Sequence, residues 1–365
     1  MLKIAIDCRM IGSGGIGSYI SELVPWLLEE HECLLIGTHE QCMDFVRMKN
    51  VEFCFCDVKP FSFDEMFMFP KEVLEKIHQY DFFFTPYCNI PGGIRIPVFS
   101  TIHDVVFLDV PSLTGFLGRL GRKFFYQRAI NLSEEIFTVS EFSASRIRAN
   151  LQCAKPISIT YNAAPSFLSK DDGTEKTEKT GTILFVGNIK KHKGLKTLLD
   201  AFVLAVREGF QKKLLIVGNA ENFRTGDEET VARLRELSAE LEGKIEFTGK
   251  VSNEQIKQLY KEADFLVQPS LYEGFGMPPL EAMTVGTPAI VSDIPVFKEI
   301  YDGFPVTFFK VSDPRDLADK MLAFKGADAP VPESLAGKYS YKVSAEKIAG
   351  AMERSAEGKK TAERD

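Results

Sequence analysis

The chain has 365 residues, of which 45% are apolar and 26% charged, with a net charge of −7. That length exceeds one ordinary hydrophobic core and calls for two domains, while the acidic balance argues against a nucleic-acid binder. No apolar run approaches the roughly 20 residues of a membrane span, and no basic-then-apolar leader precedes the first strand, so a cytoplasmic protein is expected.

In chain order, strands are predicted at Lys3–Asp7, Cys33–Gly37, Val51–Cys56, Asp81–Thr85, Val98–Ile102, Ile136–Val139 and Ile157–Tyr161. Helical periodicity fills the gaps, as at Ile16–Glu30, Pro70–Gln79, Phe116–Leu132 and Glu141–Leu151. Runs such as Phe82-Phe83-Phe84 are apolar without alternation, which fits parallel strands covered on both faces. The seven cysteines include Cys8, Cys54 and Cys56 in or beside these strands, without metal-ligand spacing, and read as reduced buried thiols.

Two strand ends in this half carry candidate chemistry. Gly12-Ser13-Gly14-Gly15-Ile16-Gly17 matches G-x-G-x-x-G. Four residues separate it from the strand, however, and only Glu40 stands where a dinucleotide site needs its acid, so a nicotinamide site is disfavoured. Glycines at a helix start still let a phosphate or sugar approach the backbone closely. The second is Thr101-Ile102-His103-Asp104, where His103 sits at the edge of the sheet and offers an imidazole to a hydroxyl.

A polar stretch, 169–181, reads as a linker between a first domain, 1–168, and a second, 182–338, with a C-terminal helix and tail at 339–365. Strands resume at Thr182–Val186, Lys213–Val217, Lys244–Thr248, Asp264–Gln268, Pro288–Val291 and Val306–Phe309, with helices that include Leu195–Arg207 and Pro314–Phe324. The pattern predicts two doubly wound α/β domains facing each other across a cleft, with ligands at the carboxyl ends of strands.

In the second domain, Gly187-Asn188 ends the first strand and Lys193-Gly194 opens the next helix. A cation at a helix N-terminus is unfavourable unless an anion joins it, which points to a phosphate ligand. Val251, after another strand, lies where backbone groups would meet a nucleobase. The most informative segment runs from Ser270 to Met283. Glu273 precedes Gly274-Phe275-Gly276-Met277, and Glu281 falls in the first turn of a helix opening at Pro278. Two acceptor side chains flanking an anion site suit a phosphate between two hydroxyl-bearing rings, as in a nucleotide-sugar.

With these residues the chain resembles the retaining glycosyltransferases of family 4, with the GT-B fold, over nearly its whole length. The most specific motif is E-x7-E, here Glu273 to Glu281, supported by the Gly-Gly-Ile-Gly turn, Thr-Ile-His-Asp, Val-Gly-Asn followed by Lys193, Asn162-Ala163-Ala164, and Tyr339-Ser340-Tyr341. The resemblance implies that the C-terminal helix at 339–365 crosses back to the first domain after Tyr339-Ser340-Tyr341, and that Glu281 binds the donor ribose and Glu273 the transferred sugar. Backbone groups at Gly274, Phe275, Gly276 and Met277 would hold sugar and phosphate, joined by Gly187 and Asn188. Lys193 would contact the diphosphate, as would Gly15 and Gly17 from the other domain. His103 would bond the sugar 6-hydroxyl, and Val251 would lie by the base. One departure is that relatives carry an arginine shortly before the lysine, where Asn188 and His192 stand here. Phosphate binding would then rest on Lys193 and the helix dipole, with modest donor affinity.

The implied reaction moves a sugar, by default a hexose with a lean to mannose, from a nucleotide-diphosphate-sugar to a glycan or lipid-linked acceptor. Charge on the leaving diphosphate must be stabilised, and no Asp-x-Asp motif is present to hold a metal for that purpose, so metal-independent catalysis with no cofactor is expected. Retention would come from same-face attack with the leaving phosphate as base. No side chain is a compelling nucleophile, and Asp104 is the nearest candidate. The Phe61–Pro70 segment and Arg119–Arg128, where aromatics mix with basic residues as on a membrane-surface helix, are candidates to face the acceptor, although core aromatics beside solvated charges is the favoured reading of both. Peripheral membrane contact is expected from the resemblance, since many relatives use lipid-linked acceptors. Alternatives are a nucleotide-sugar epimerase of the same fold and a non-catalytic binding protein.

Overall fold

The structure is a computed structural model that describes residues 1–169, 178–218, 227–241, 243–324 and 333–362. The chain divides into two compact units, Met1–Asn162 with Tyr339–Asp365, and Ala163–Lys338. Most of the polar stretch expected as a linker, 170–177, lies outside the described residues. The second unit begins ahead of it, because Leu168 in the short helix Ser166–Ser169 is buried against that unit's helices Asn253–Glu262 and Met277–Thr284.

The first unit is built on seven strands: β1 (Lys3–Asp7), β2 (Glu32–Gly37), β3 (Val51–Phe55), β4 (Phe82–Thr85), β5 (Val98–Thr101), β6 (Ser133–Thr138) and β7 (Ile157–Ile159). They pair in the order β3-β2-β1-β4-β5-β6-β7, every neighbour parallel. Every residue of central β4 and β5 is buried, as helices on both faces require, whereas edge strand β3 buries only Cys54. The helix Tyr341–Ala362 joins this unit by packing on the helix Gly14–Glu30. Tyr341 meets the Tyr19 ring edge-on at 5.9 Å, Ser344 Oγ donates to the Tyr161 carbonyl at 2.8 Å, and Ile348 and Met352 are buried.

The second unit has β8 (Thr182–Val186), β9 (Lys213–Val217), β10 (Ile245–Gly249), β11 (Phe265–Gln268), β12 (Ala289–Ser292) and β13 (Val306–Phe309). Their order is β10-β9-β8-β11-β12-β13, again all parallel. Helix Leu195–Arg207 buries Leu195, Leu198, Leu199 and Phe202, one stripe of its surface, within the core that also takes Leu317 and Met321 from helix Pro314–Ala323. In each sheet the chain reverses its direction of growth beside the first strand, between β1 and β4 and between β8 and β11. Loops leaving such a pair part to opposite sides and leave a crevice at the carboxyl ends, where open α/β sheets bind ligands. Two doubly wound α/β units of this kind make the GT-B fold. Among the described residues, no helix is long and apolar enough to cross a membrane.

Candidate active site at the carboxyl end of the second sheet

The crevice between β8 and β11 is where the sequence-derived residues gather. After β8 the chain runs through Gly187 and Asn188 into a short 3-10 turn, Lys191–Lys193, and then Gly194, which has a φ of +68°. Only glycine fits there, since a Cβ would stand 1.9 Å from the Pro269 carbonyl oxygen in the loop after β11. The two loops are thus in backbone contact, and the Leu271 N–H donates to the His192 carbonyl at 2.7 Å.

That fastening lays Lys193 beside Glu273. Lys193 Nζ donates to both carboxylate oxygens, at 2.7 and 2.8 Å. Ser270 Oγ donates to Glu273 Oε1 at 2.7 Å, and Gln268 Nε2 donates to Ser270 Oγ at 2.9 Å. Glu273 is buried, while the Lys193 side chain keeps 22% of its surface exposed, so the pair is reached from the lysine side. The expectation from helix electrostatics was an anion next to Lys193, and in this structure Glu273 is that anion. Beside it, burial and the charge of Lys193 push His192 down to about 4, so its imidazole is neutral, and its buried Nδ1 has no hydrogen-bond partner among the described residues.

The helix after the glycines begins at Met277, one residue before Pro278. Glu281 is therefore its fifth residue and opens the second turn, a correction to the first-turn placement. Pro278 and Pro279 carry no N–H, so of the first three helical positions only Met277 keeps a donor for an anion. Gly276 caps the helix with a φ of +88°, and a Cβ on it would stand 2.3 Å from the Phe297 ring. The Tyr301 hydroxyl donates to the Gly276 carbonyl. Gly274 and Phe275 are buried in the same loop. Tyr260 donates its hydroxyl to Glu281 Oε2 at 2.5 Å. Burial raises the pKa of Glu281 and the Tyr260 bond opposes that rise.

Other predicted positions are less engaged. The Gly187 N–H donates to the Val217 carbonyl, so the sheet uses it, and Asn188 is exposed. Val251 follows β10, the edge strand, and precedes Ser252, which caps the next helix. In the first unit, Gly15 is exposed with open space about it, while Gly17 is buried with its Cα so close to the Gly12 backbone that a Cβ would meet Gly12 N at 2.6 Å. Gly17 therefore serves the packing of turn on helix. His103 follows β5 and its Nε2 lies 3.0 Å from the Pro86 carbonyl. A carbonyl only accepts, so Nε2 carries the proton and Nδ1 is left as an acceptor. Burial pushes His103 down to about 4, so it is neutral near pH 7. Asp104 Oδ1 accepts from the Val106 N–H at 2.9 Å, a turn-forming role.

Sequence reasoning missed Ser270, Gln268 and Tyr260. The first two were legible as polar residues closing an apolar strand just ahead of Glu273. It also missed a buried network between β1 and β4 in the first unit. There Arg9 Nη2 donates to Asp7 Oδ2 and Glu65 Oε1, both at 2.6 Å, and Asn89 Nδ2 donates to Asp7 Oδ2 at 2.8 Å. Burial disfavours the Arg9 charge, but Asp7 and Glu65 overcome that and raise its pKa. The network pins the helix Phe63–Phe67 over the sheet, and its signal was an acid ending β1 with an arginine two residues on.

Residues 168–328 match the family model described as "Glycosyl transferases group 1". The O-antigen chain mannosyltransferase RfbU of Salmonella typhimurium is 31% identical over 208 residues, covering 55% of this chain and 53% of that protein. Mannosylfructose-phosphate synthase of Agrobacterium fabrum is 36% identical over 144 residues, 38% of this chain and 32% of that protein. The chain thus spans about half or less of the length of these curated relatives. Sucrose-phosphate synthase from Thermosynechococcus elongatus superposes with a TM-score of 0.71 at 16% identity, covering 98% of this chain and 100% of that one. HepE of Anabaena, solved with UDP and glucose, gives 0.71 at 16% identity, covering 97% and 100%. At such identity the structural likeness shows the fold alone.

Proposed function

We propose that the chain is a group 1 glycosyl transferase of the family 4 type that moves a hexose, mannose first, from a nucleoside-diphosphate-sugar to a glycan or lipid-linked acceptor. The observation that carries this reading is Lys193 held between a helix start and Glu273 at the β8–β11 crevice, a cation already gathered where a diphosphate would bind. A donor phosphate would take Lys193 Nζ from Glu273. The freed carboxylate, still held by Ser270, would accept from the sugar hydroxyls, and Glu281 would accept from the ribose. Cleaving the anomeric C–O bond puts new negative charge on the diphosphate, which Lys193 and the Met277 N–H stabilise without a metal. The anomeric configuration is retained by same-face attack, the leaving phosphate taking the acceptor proton. In the first unit, neutral His103 offers Nδ1 to a hydroxyl.

The acceptor reading has support within the first unit. A cavity of about 340 Å³ is lined by aromatics including Phe61, Tyr87, Phe125 and Tyr126, with Arg122 in its wall. Phe116, Leu117, Leu120 and Phe124 of the helix Phe116–Leu132 are exposed, beside the basic residues Arg119, Arg122 and Lys123. Apolar and cationic groups on one helix suit the chain and phosphate of an amphiphile, and peripheral membrane contact. The mannosyl preference is supported by the mannosyltransferases among the relatives.

The test is a thermal-shift series on the purified protein in EDTA with GDP, UDP, ADP and dTDP, their sugar conjugates, and NAD. A ligand at 100 times its Kd stabilises the fold by about 2.7 kcal/mol, which raises the midpoint by about 5–10 °C for a unit of this size. One nucleoside-diphosphate family is expected to do so, GDP first, with the shift lost in Lys193→Ala. A response to NAD alone, or one that appears only when magnesium replaces EDTA, overturns the corresponding part of the proposal.

A further inference from the structure

Resting on the reading above, one residue outside every motif bears on how the donor nucleoside is held. Tyr260 lies near the end of the helix Asn253–Glu262 and is fully buried. Its hydroxyl donates to Glu281 Oε2 at 2.5 Å, and no other hydrogen bond reaches the Glu281 carboxylate among the described residues. Its main chain is tied as well, because Thr287 Oγ1 donates to the Tyr260 carbonyl at 2.6 Å. Thr287 lies just past the helix that carries Glu281, so ring and carboxylate are fixed to one short piece of structure at two points.

A carboxylate has about four acceptor positions, and one filled by a rigid donor fixes the plane of the rest. The Tyr260 bond takes Oε2 alone, leaving Oε1 without a hydrogen-bond partner among the described residues, on a residue that keeps part of its surface exposed. We propose that Tyr260 is a positioning residue for donor binding: by bonding one oxygen of Glu281 it sets the orientation in which that carboxylate accepts from the two vicinal hydroxyls of the donor ribose. The same bond favours the ionised carboxylate against the effect of burial, and the ionised form, with no proton of its own, accepts more strongly from the two hydroxyls. A phenylalanine would fill the same volume, so the hydroxyl can be removed without opening a cavity.

The experiment is calorimetric titration of wild type, Tyr260→Phe, Glu281→Gln and the double variant with GDP, UDP and ADP, and with their 2′-deoxy forms. Loss of one charge-assisted hydrogen bond's worth of orientation predicts a Kd for the bound ribonucleotide about tenfold weaker in Tyr260→Phe. The Kd for the 2′-deoxy form should change less than about twofold, because it lacks half of the pair that the orientation serves. The ribonucleotide loss should grow between pH 7.5 and pH 6, since without Tyr260 the Glu281 pKa rises further. Adding Tyr260→Phe to Glu281→Gln should cost little more, and in turnover KM for the donor should rise with kcat nearly unchanged. Equal losses for ribo and deoxy forms would show a purely structural tyrosine and overturn the inference, as would wild-type binding by Tyr260→Phe or additive losses in the double variant. A wild type that binds none of the three diphosphates overturns the donor reading and this inference together.

Discussion

Lys193 stands where helix electrostatics disfavour a cation, and Glu273 is why the position is tolerated. The sequence showed the imbalance, and with it the need for an anion, but not that a side chain 80 residues on supplies it at rest. Glu273 and His103 were legible because each follows an apolar strand, where a side chain reaches the sheet's edge, and Glu281 by its spacing from Glu273 across the glycines into a helix. Tyr260 was not, because its only visible role in sequence is as an apolar position on an amphipathic helix. At this scale the two neutral imidazoles make a prediction. His103 and His192 are each lowered from 6.5 to about 4 in the fold, by burial above all. Between those values the unfolded chain binds more protons than the folded one, so stability rises with pH. Their contribution is complete above pH 6.5 and is lost as pH falls through about 4. His192→Asn should therefore lose less thermal stability than wild type when pH is lowered from 7 to 4.5. Parallel melting profiles over that range would refute it.

At the scale of elements, period and composition placed the strands within one to three residues, because parallel strands buried on both faces leave uninterrupted apolar runs. Helix ends were less legible. Helix Met277–Thr284 starts at Met277 because Gly276 takes a φ of +88° and Tyr301 binds its carbonyl, and neither fact is written in the local sequence. The glycines also separate by physical role. Gly276→Ala meets both a left-handed backbone and the Phe297 ring, a combined cost of about 2–4 kcal/mol. Gly15→Ala meets nothing within 4 Å and has no positive φ, so its stability should stay within about 1 kcal/mol of wild type. Denaturant midpoints of the two variants check this, and equal midpoints would mean that the loop before helix Met277–Thr284 relaxes freely.

Across the whole molecule, chain order and spatial grouping part company at the C-terminus. The first unit takes its closing helix, Tyr341–Ala362, from beyond the entire second unit. The sequence hinted at this only through Tyr339-Ser340-Tyr341, since a helix carries no mark of which sheet it will cover. The consequence is energetic. Tyr341, Ile348 and Met352 are buried there, and each large side chain moved from water contributes about 1.5–3 kcal/mol. Their sum is comparable with the whole stability of an ordinary domain. A chain ending at Lys338 should therefore show two unfolding transitions by calorimetry. That of the first unit should be shifted down or abolished, while the second unit, whose sheet and core are complete without the helix, should unfold near its original midpoint. It should still bind the nucleoside diphosphate, since Lys193, Glu273 and Glu281 all lie in the second unit, but it should not turn the donor over. Unchanged unfolding of both units would mean that the helix merely rests on the first unit, and that this unit's core closes on the helix Gly14–Glu30 without it.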